Sequence, residues 1–217
     1  DVTIRNGSVR NFGATGVDLN TGVPGASGFR LDGVTVEGCG VGFMVTQGTF
    51  ENCIAQRNNG DGFVAHRCIL RGCAAYENGA AGINGDGFVL FEGSKVTDCV
   101  AMRGSFRGFF LGITSEAEGC SSKLNGTTGF AADGAGTIRG CISASNAFDG
   151  FELFGAQAIQ CAAEGNGNNG FVADVGAVVR DCKSVANAVS GIRVGVDALI
   201  VGNQCVQNFL YGIHTTG

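Results

Sequence analysis

Apolar and polar residues alternate in short bursts along this chain, three bursts to a repeat. Between Gly170 and Ser190, Phe171 and Ala173 flank Val172, Val179 stands just ahead of Cys182, and Cys182 and Ser184 flank Lys183 before Asn187. Period-two alternation sends successive side chains to opposite faces of a strand. The bursts are joined by glycine and small polar residues, the chemistry of bends. Three short strands and three bends per repeat predict a coil whose strands each pair with their counterpart one turn above.

The same unit recurs every 20 or 21 residues. Gly-aromatic pairs mark it at Gly42-Phe43, Gly62-Phe63, Gly87-Phe88, Gly108-Phe109, Gly129-Phe130, Gly150-Phe151 and Gly170-Phe171, with Gly191-Ile192 and Gly212-Ile213 following. Cysteines keep step at Cys53, Cys73, Cys99, Cys120, Cys141, Cys161 and Cys182, with Asn203 in that register afterwards. Two residue types holding one period imply stacked supersecondary units. An ankyrin or TPR array needs about 33 residues and helical spacing, and a leucine-rich repeat needs its Leu and Asn pattern; neither is present. Alanine or serine two positions after each cysteine leaves room for the aromatic row opposite. An asparagine follows five after, at Asn58, Asn78, Asn125, Asn146, Asn166, Asn187 and Asn208, with Gly104 the exception. This predicts a corner ladder of stacked amides. Extra residues at Gly79 to Asp86 and Asn20 to Ser27 predict loops projecting from one edge.

With these ladders the chain resembles the right-handed parallel β-helix repeat proteins, which share their architecture with pectate lyases and phage tailspikes. The resemblance spans the chain and implies an all-β fold, a single right-handed parallel β-helix of about ten coils over residues 1–217. It identifies architecture only, since this coil carries many unrelated functions.

Composition narrows the partners. Charged residues make up 15% of the chain and its net charge is −5. Without a Lys/Arg cluster, nucleic acid is an unfavoured partner. No apolar run approaches the roughly 18 residues of a membrane span. The expected location is secreted or cell envelope. The ladder cysteines should be reduced and inward, because side chains stacked in parallel do not converge into disulfide geometry; Cys39 and Cys68 fall outside that ladder. Two histidines and no CxxC argue against structural zinc. Gly165 to Gly170 matches GxGxxG, but no helix follows it. Asp61, Asp86 and Asp149, each preceding a Gly-aromatic pair, read as turn formers, with calcium as the only cofactor that the Asn-Gly-Asp-Gly strings at Asp61 and Asp86 suggest. Of the two glycosylation sequons, only Asn6 lies outside the ladder.

A ligand is expected to meet the outward positions of the strand after each glycine. Val64, Val89, Phe91, Phe110 and Phe154 supply an apolar stretch suited to a partner or a sugar ring. On later coils Asp133, Glu152, Asp174, Arg193 and His214 are the one set where acid, base and anion binder converge. A lyase needs a base and a cation; a hydrolase needs two carboxylates about 5 to 9.5 Å apart. The catalytic signatures of pectate lyases, polygalacturonases and alginate epimerases are absent. The leading expectation is a non-catalytic extracellular or envelope solenoid, a rigid structural, fibre or adhesion module. The alternative is a polysaccharide lyase or glycoside hydrolase with its site on the acidic late coils. Partners are expected to be flanking coils or other copies of the chain, continuing the solenoid past both ends, and possible polysaccharide.

Overall fold

In the computed structural model, residues 2–20, 28–80 and 85–216 are described, and they form three parallel sheets of ten strands each. One coil passes through Phe130–Asp133, Thr137–Arg139 and Ile142–Ala144 before Phe151–Phe154 opens the next. We call the sheet containing Thr137–Arg139 the first, that of Ile142–Ala144 the second, and that of Phe130–Asp133 the third. Each strand lies between its counterparts one coil before and one coil after. The excursion expected at Asn20 to Ser27 lies, from residue 21 to 27, outside the described residues, as do residues 81–84 of the second one.

The interior is a stack of like on like. Phe43, Phe63, Phe88, Phe109, Phe130, Phe151 and Phe171 are fully buried. Their rings stack face to face, with centroids 4.8 Å apart for Phe63 and Phe88 and 4.6 Å for Phe109 and Phe130. That separation is the strand spacing, ~4.8 Å, so parallel pairing itself sets the ring contact. Opposite the rings stand Ala55, Ala75, Ala101, Ser122, Ser143, Ala163 and Ser184, all buried.

The glycines of the Gly-aromatic pairs are needed for closeness and not for left-handed φ. A Cβ on Gly87 would meet the Gly108 carbonyl at 2.6 Å, and one on Gly129 would meet the Asn146 amide at 2.8 Å. Left-handed φ falls instead on residues that follow strand ends, such as Arg57, Glu77, Arg103 and Leu124 after second-sheet strands, with φ of 52°, 52°, 57° and 56°, and Arg67 and Glu92 after third-sheet strands, at 54° and 53°.

Two side-chain ladders close the corners. The Asn125 amide N–H donates to Asn146 Oδ1 at 3.0 Å, and Asn146 N donates in turn to Asn166 Oδ1 at 3.1 Å. The side-chain Nδ2 groups repeat these bonds. The cysteines do the same work at another corner. Cys73 N donates to Cys99 Sγ and Cys120 N to Cys141 Sγ, both at 3.3 Å, while each thiol donates back to the carbonyl two residues before it. At the next register position Asn203 Oδ1 accepts Cys182 N at 2.8 Å, so an amide oxygen replaces sulfur without changing the bond. All ten cysteines are free thiols, and the seven of the ladder are buried. Cys39 and Cys68 join corner ladders too, Cys39 N donating to Asn58 Oδ1 and Cys68 Sγ accepting Gly48 N.

Two tests follow from these ladders. Thiol labelling of the native chain should modify Cys205, half-exposed, and leave the other nine until denaturant is added. Burial pushes the Cys205 and Cys68 thiols up, so neither should react with the speed of an activated thiolate. At Gly104 the amide ladder has no side chain, yet Gly104 N already donates to Asn125 Oδ1 and an added Cβ meets nothing closer than 3.3 Å. Gly104→Asn should therefore raise stability by about 1 kcal/mol, through one more buried bond and a less flexible unfolded chain. Asn146→Ala should lower it by about 1–3 kcal/mol. Urea unfolding measures both.

Candidate functional site

The outward side chains of the third sheet lie in two rows fixed by its register. One row runs Met44, Val64, Val89, Phe110, Ala131, Glu152, Val172, Arg193, His214. The other contains Thr46, His66 and Phe91, then Asp133, Phe154 and Asp174. Between them a groove of about 340 Å³ is lined by His66, Phe91, Glu92, Phe110, Gly112, Ile113 and Asp133. Its floor is aromatic. His66 stacks on Phe91 at 4.8 Å, and Phe91 meets Phe110 edge to face at 5.9 Å. Gly112 keeps the floor open, since a Cβ there would press on the Phe91 ring at 3.0 Å.

A charged group abuts the groove. Asp86 is buried and takes Arg107 in a two-pronged pair, Nε to Oδ1 at 3.1 Å and Nη2 to Oδ2 at 2.9 Å. The Arg107 guanidinium also lies 4.4 Å from the centre of the Phe110 ring and 4.9 Å from that of Phe106. Held by the Asp86 carboxylate and two rings, Arg107 is a preorganised cation beside the aromatic floor. Glu152 is half-buried on the next coil but one. Its carboxyl is pushed up by burial and by the charges of Asp149 and Asp133, against a pull downward from Arg107 and Arg193. Asp149 is buried and raised by that burial, although Asn169 donates to it through both its backbone N and Nδ2 at 2.9 Å.

The five late-coil residues divide. Asp133 is exposed at the groove's end, with no ion pair among the described residues. Ala131 pairs with Glu152 and Asp133 stands two residues farther on, so the Cα atoms of Asp133 and Glu152 lie on a diagonal of about 8 Å, given ~4.8 Å between strands and ~3.3 Å per residue. Asp174 and Arg193 are joined at 3.2 Å. His214 stacks on Tyr211 at 4.5 Å, at the last strand. Of the apolar set, Phe91 and Phe110 form the groove, Val64 and Val89 continue the Phe110 row, and Phe154 is exposed beside Asp133.

Sequence reasoning missed Arg107 and the hydrogen-bonding role of the three aspartates, whose side chains bond the backbone of the next coil. Asp61 Oδ1 accepts Asp86 N, Asp86 Oδ1 accepts Arg107 N, and Asp149 Oδ1 accepts Asn169 N. They form a third ladder. The signal was available, because Asp61, Asp86, Arg107, Asp149 and Asn169 all immediately precede the repeating glycine. Among the described residues no three or more His, Cys, Asp or Glu side chains gather so as to hold a metal ion, and no helix is long and apolar enough to cross a membrane.

The family model described as a right handed beta helix region matches residues 1–117. The chain belongs to that family. Comparison with curated proteins finds no match. Among solved structures it is similar to the Azotobacter vinelandii mannuronan C-5 epimerase AlgE4 A-module, at 18% identity and a TM-score of 0.61 over 99% of this chain and 77% of the other. A mutant of the periplasmic alginate epimerase AlgG is similar at 11% identity and a TM-score of 0.77, over 98% of this chain and 67% of that one. Pectate lyase Pel9A follows at 15% identity and a TM-score of 0.62, with 91% and 69% covered. At these identities the likeness is one of fold.

The raised Glu152 carboxyl has a measurable consequence. A group whose folded pKa exceeds its unfolded value holds more protons when folded, so stability falls as pH rises from the ordinary carboxylate range through the folded pKa. Glu152→Gln removes that loss. The variant should be more stable than the parent at neutral pH and lose the advantage in acid, as thermal melts at stepped pH will show.

Proposed function

We propose that the third sheet binds a polysaccharide across its coils and that Glu152 and Asp133 cleave a glycosidic bond there. The observation that carries this reading is the pairing of a carboxyl pushed upward, on Glu152, with the unpaired Asp133 carboxylate, on a diagonal beside an aromatic-floored groove. A proton donor must still hold its proton near working pH, and burial beside Asp149 and Asp133 favours that state in Glu152. Asp133, exposed at the groove's end, is placed to activate water or stabilise developing positive charge on the sugar. Phe91, Phe110 and His66 supply the flat surface on which a pyranose ring packs. Arg107 and the Arg193–Asp174 pair orient the sugar by charge and hydrogen bonds and are not proton carriers. The similar structures support the polysaccharide part of the reading, being a mannuronan C-5 epimerase, an alginate epimerase and a pectate lyase.

A second reading, a non-catalytic structural or adhesion module, draws on the same face. Two of the five candidate side chains are tied to each other and a third is stacked at the final coil, which leaves a surface able to bind without turnover.

One experiment separates the two readings. The chain is incubated with pectin, alginate and neutral α- and β-glucans, and new reducing ends and unsaturated products are measured. Hydrolysis predicts reducing ends without unsaturation, a loss of about 10²- to 10⁴-fold in kcat for Glu152→Gln with binding retained, and loss of binding for Phe91→Ala. Binding without products, unaltered in Glu152→Gln, selects the adhesion reading. No binding to any glycan removes the cleaving reading and leaves the structural one.

A further inference from the structure

We propose a second ligand site, independent of the third sheet: a groove on the second sheet that takes an acidic oligosaccharide, its sugar ring on Tyr76 and its acid groups on Arg57 and Arg103. The groove, about 250 Å³, is lined by Gln56, Arg57, Tyr76, Glu77, Met102 and Arg103. Register puts Gln56, Tyr76 and Met102 on successive coils of the outward face, with Lys123 next. Tyr76 and Met102 are half-buried and form the apolar floor. The residue after each strand end, Arg57, Glu77 or Arg103, adopts left-handed φ and stands as a rim along the bend.

Charge selects the ligand. Arg10, Arg57, Arg103 and Lys123 sit along this edge with only Glu37 and Glu77 opposing them, on a chain whose net charge is −5. Glu37 is shared by Arg10 and Arg57. Glu77 reaches Arg103 only at 3.9 Å, and Lys123 has no ion pair among the described residues. Arg57 and Arg103 are two coils apart, about 10 Å by strand spacing, with the Glu77 carboxylate between them. A ligand that fits carries negative groups at about that interval and hydroxyl donors between them. Alternating acidic and neutral sugars supply this, and a ring over Tyr76 adds stacking. A phosphodiester at every nucleotide sets charge against Glu77 instead.

The chain contains no Trp and two Tyr, Tyr76 and Tyr211, so in a Tyr211→Phe background its intrinsic emission reports Tyr76 alone. This protein is titrated with a hyaluronan tetrasaccharide, carboxylated on every second sugar, a keratan sulfate tetrasaccharide sulfated on every second sugar, cellotetraose and oligothymidylate. The proposal expects a saturable change with the carboxylated or the sulfated sugar, whichever responds naming the acid group, and none with cellotetraose. Arg57→Ser with Arg103→Ser should weaken it by about tenfold or more, with the melting transition retained. Should that pair fail to fold, Glu77→Gln carries the test and should tighten binding. Phe91→Ala should change nothing, so failure of the glycan-cleaving reading on the third sheet leaves this result standing. No response to either acidic sugar, an equal response to cellotetraose, tighter binding of oligothymidylate, or indifference to the arginine and Glu77 changes would overturn it.

Discussion

A bend in a coiled chain turns its backbone N–H away from the strand above, and in this protein a side chain from an adjoining coil meets it. That one bond, repeated coil after coil, is the constraint on which the rest depends. At one corner the acceptor is an asparagine Oδ1, at another a cysteine Sγ, and before the repeating glycine an aspartate Oδ1. The substitution of Asn203 for cysteine with the bond to Cys182 N intact shows that the acceptor matters more than the element. A buried N–H left unpaired costs about 1–3 kcal/mol, so the ladder residues hold the coil by avoiding that cost as much as by filling space.

Register then follows without freedom. A one-residue slip on the third sheet would turn Phe109 and Leu111 outward and Phe110 inward, and would break three ladders at once. Because register is locked, outward residues far apart in sequence form straight rows at the strand spacing. The groove is made this way: His66, Phe91, Phe110 and Asp133 come from four coils. Glu152 owes its proton affinity to the same geometry, being held half-buried beside Asp149, whose own side chain is fixed by Asn169.

The fold was legible because identical coils report the same environment many times. The Phe row, the small residues opposite and the asparagine corner could each be read from spacing alone. The cysteines were read as buried reduced filler; their acceptor role was not visible, since a small apolar residue and a hydrogen-bonding one leave the same repeat. The glycines were read as bend residues because sequence shows the missing Cβ and not the carbonyl that would strike it, such as that of Gly108 against Gly87. Of the site, Phe91, Phe110, Asp133 and Glu152 were found from their outward positions. Arg107 was not, because its meaning comes from Asp86 a full coil earlier and from rings on either side. The tie between Asp174 and Arg193 was equally hidden, since composition cannot show which charges neutralise one another.

Amide hydrogen exchange, read residue by residue, tests the ladder account most directly. The bend amides of Cys73, Cys120, Asn125, Asn146 and Asn169, which donate to side chains and not to a neighbouring strand, should exchange as slowly as the strand amides of Phe109 and Phe130. Exchange of those bend amides at the rate of open turns, with the strands still protected, would contradict it and leave pairing between strands alone to hold the coil.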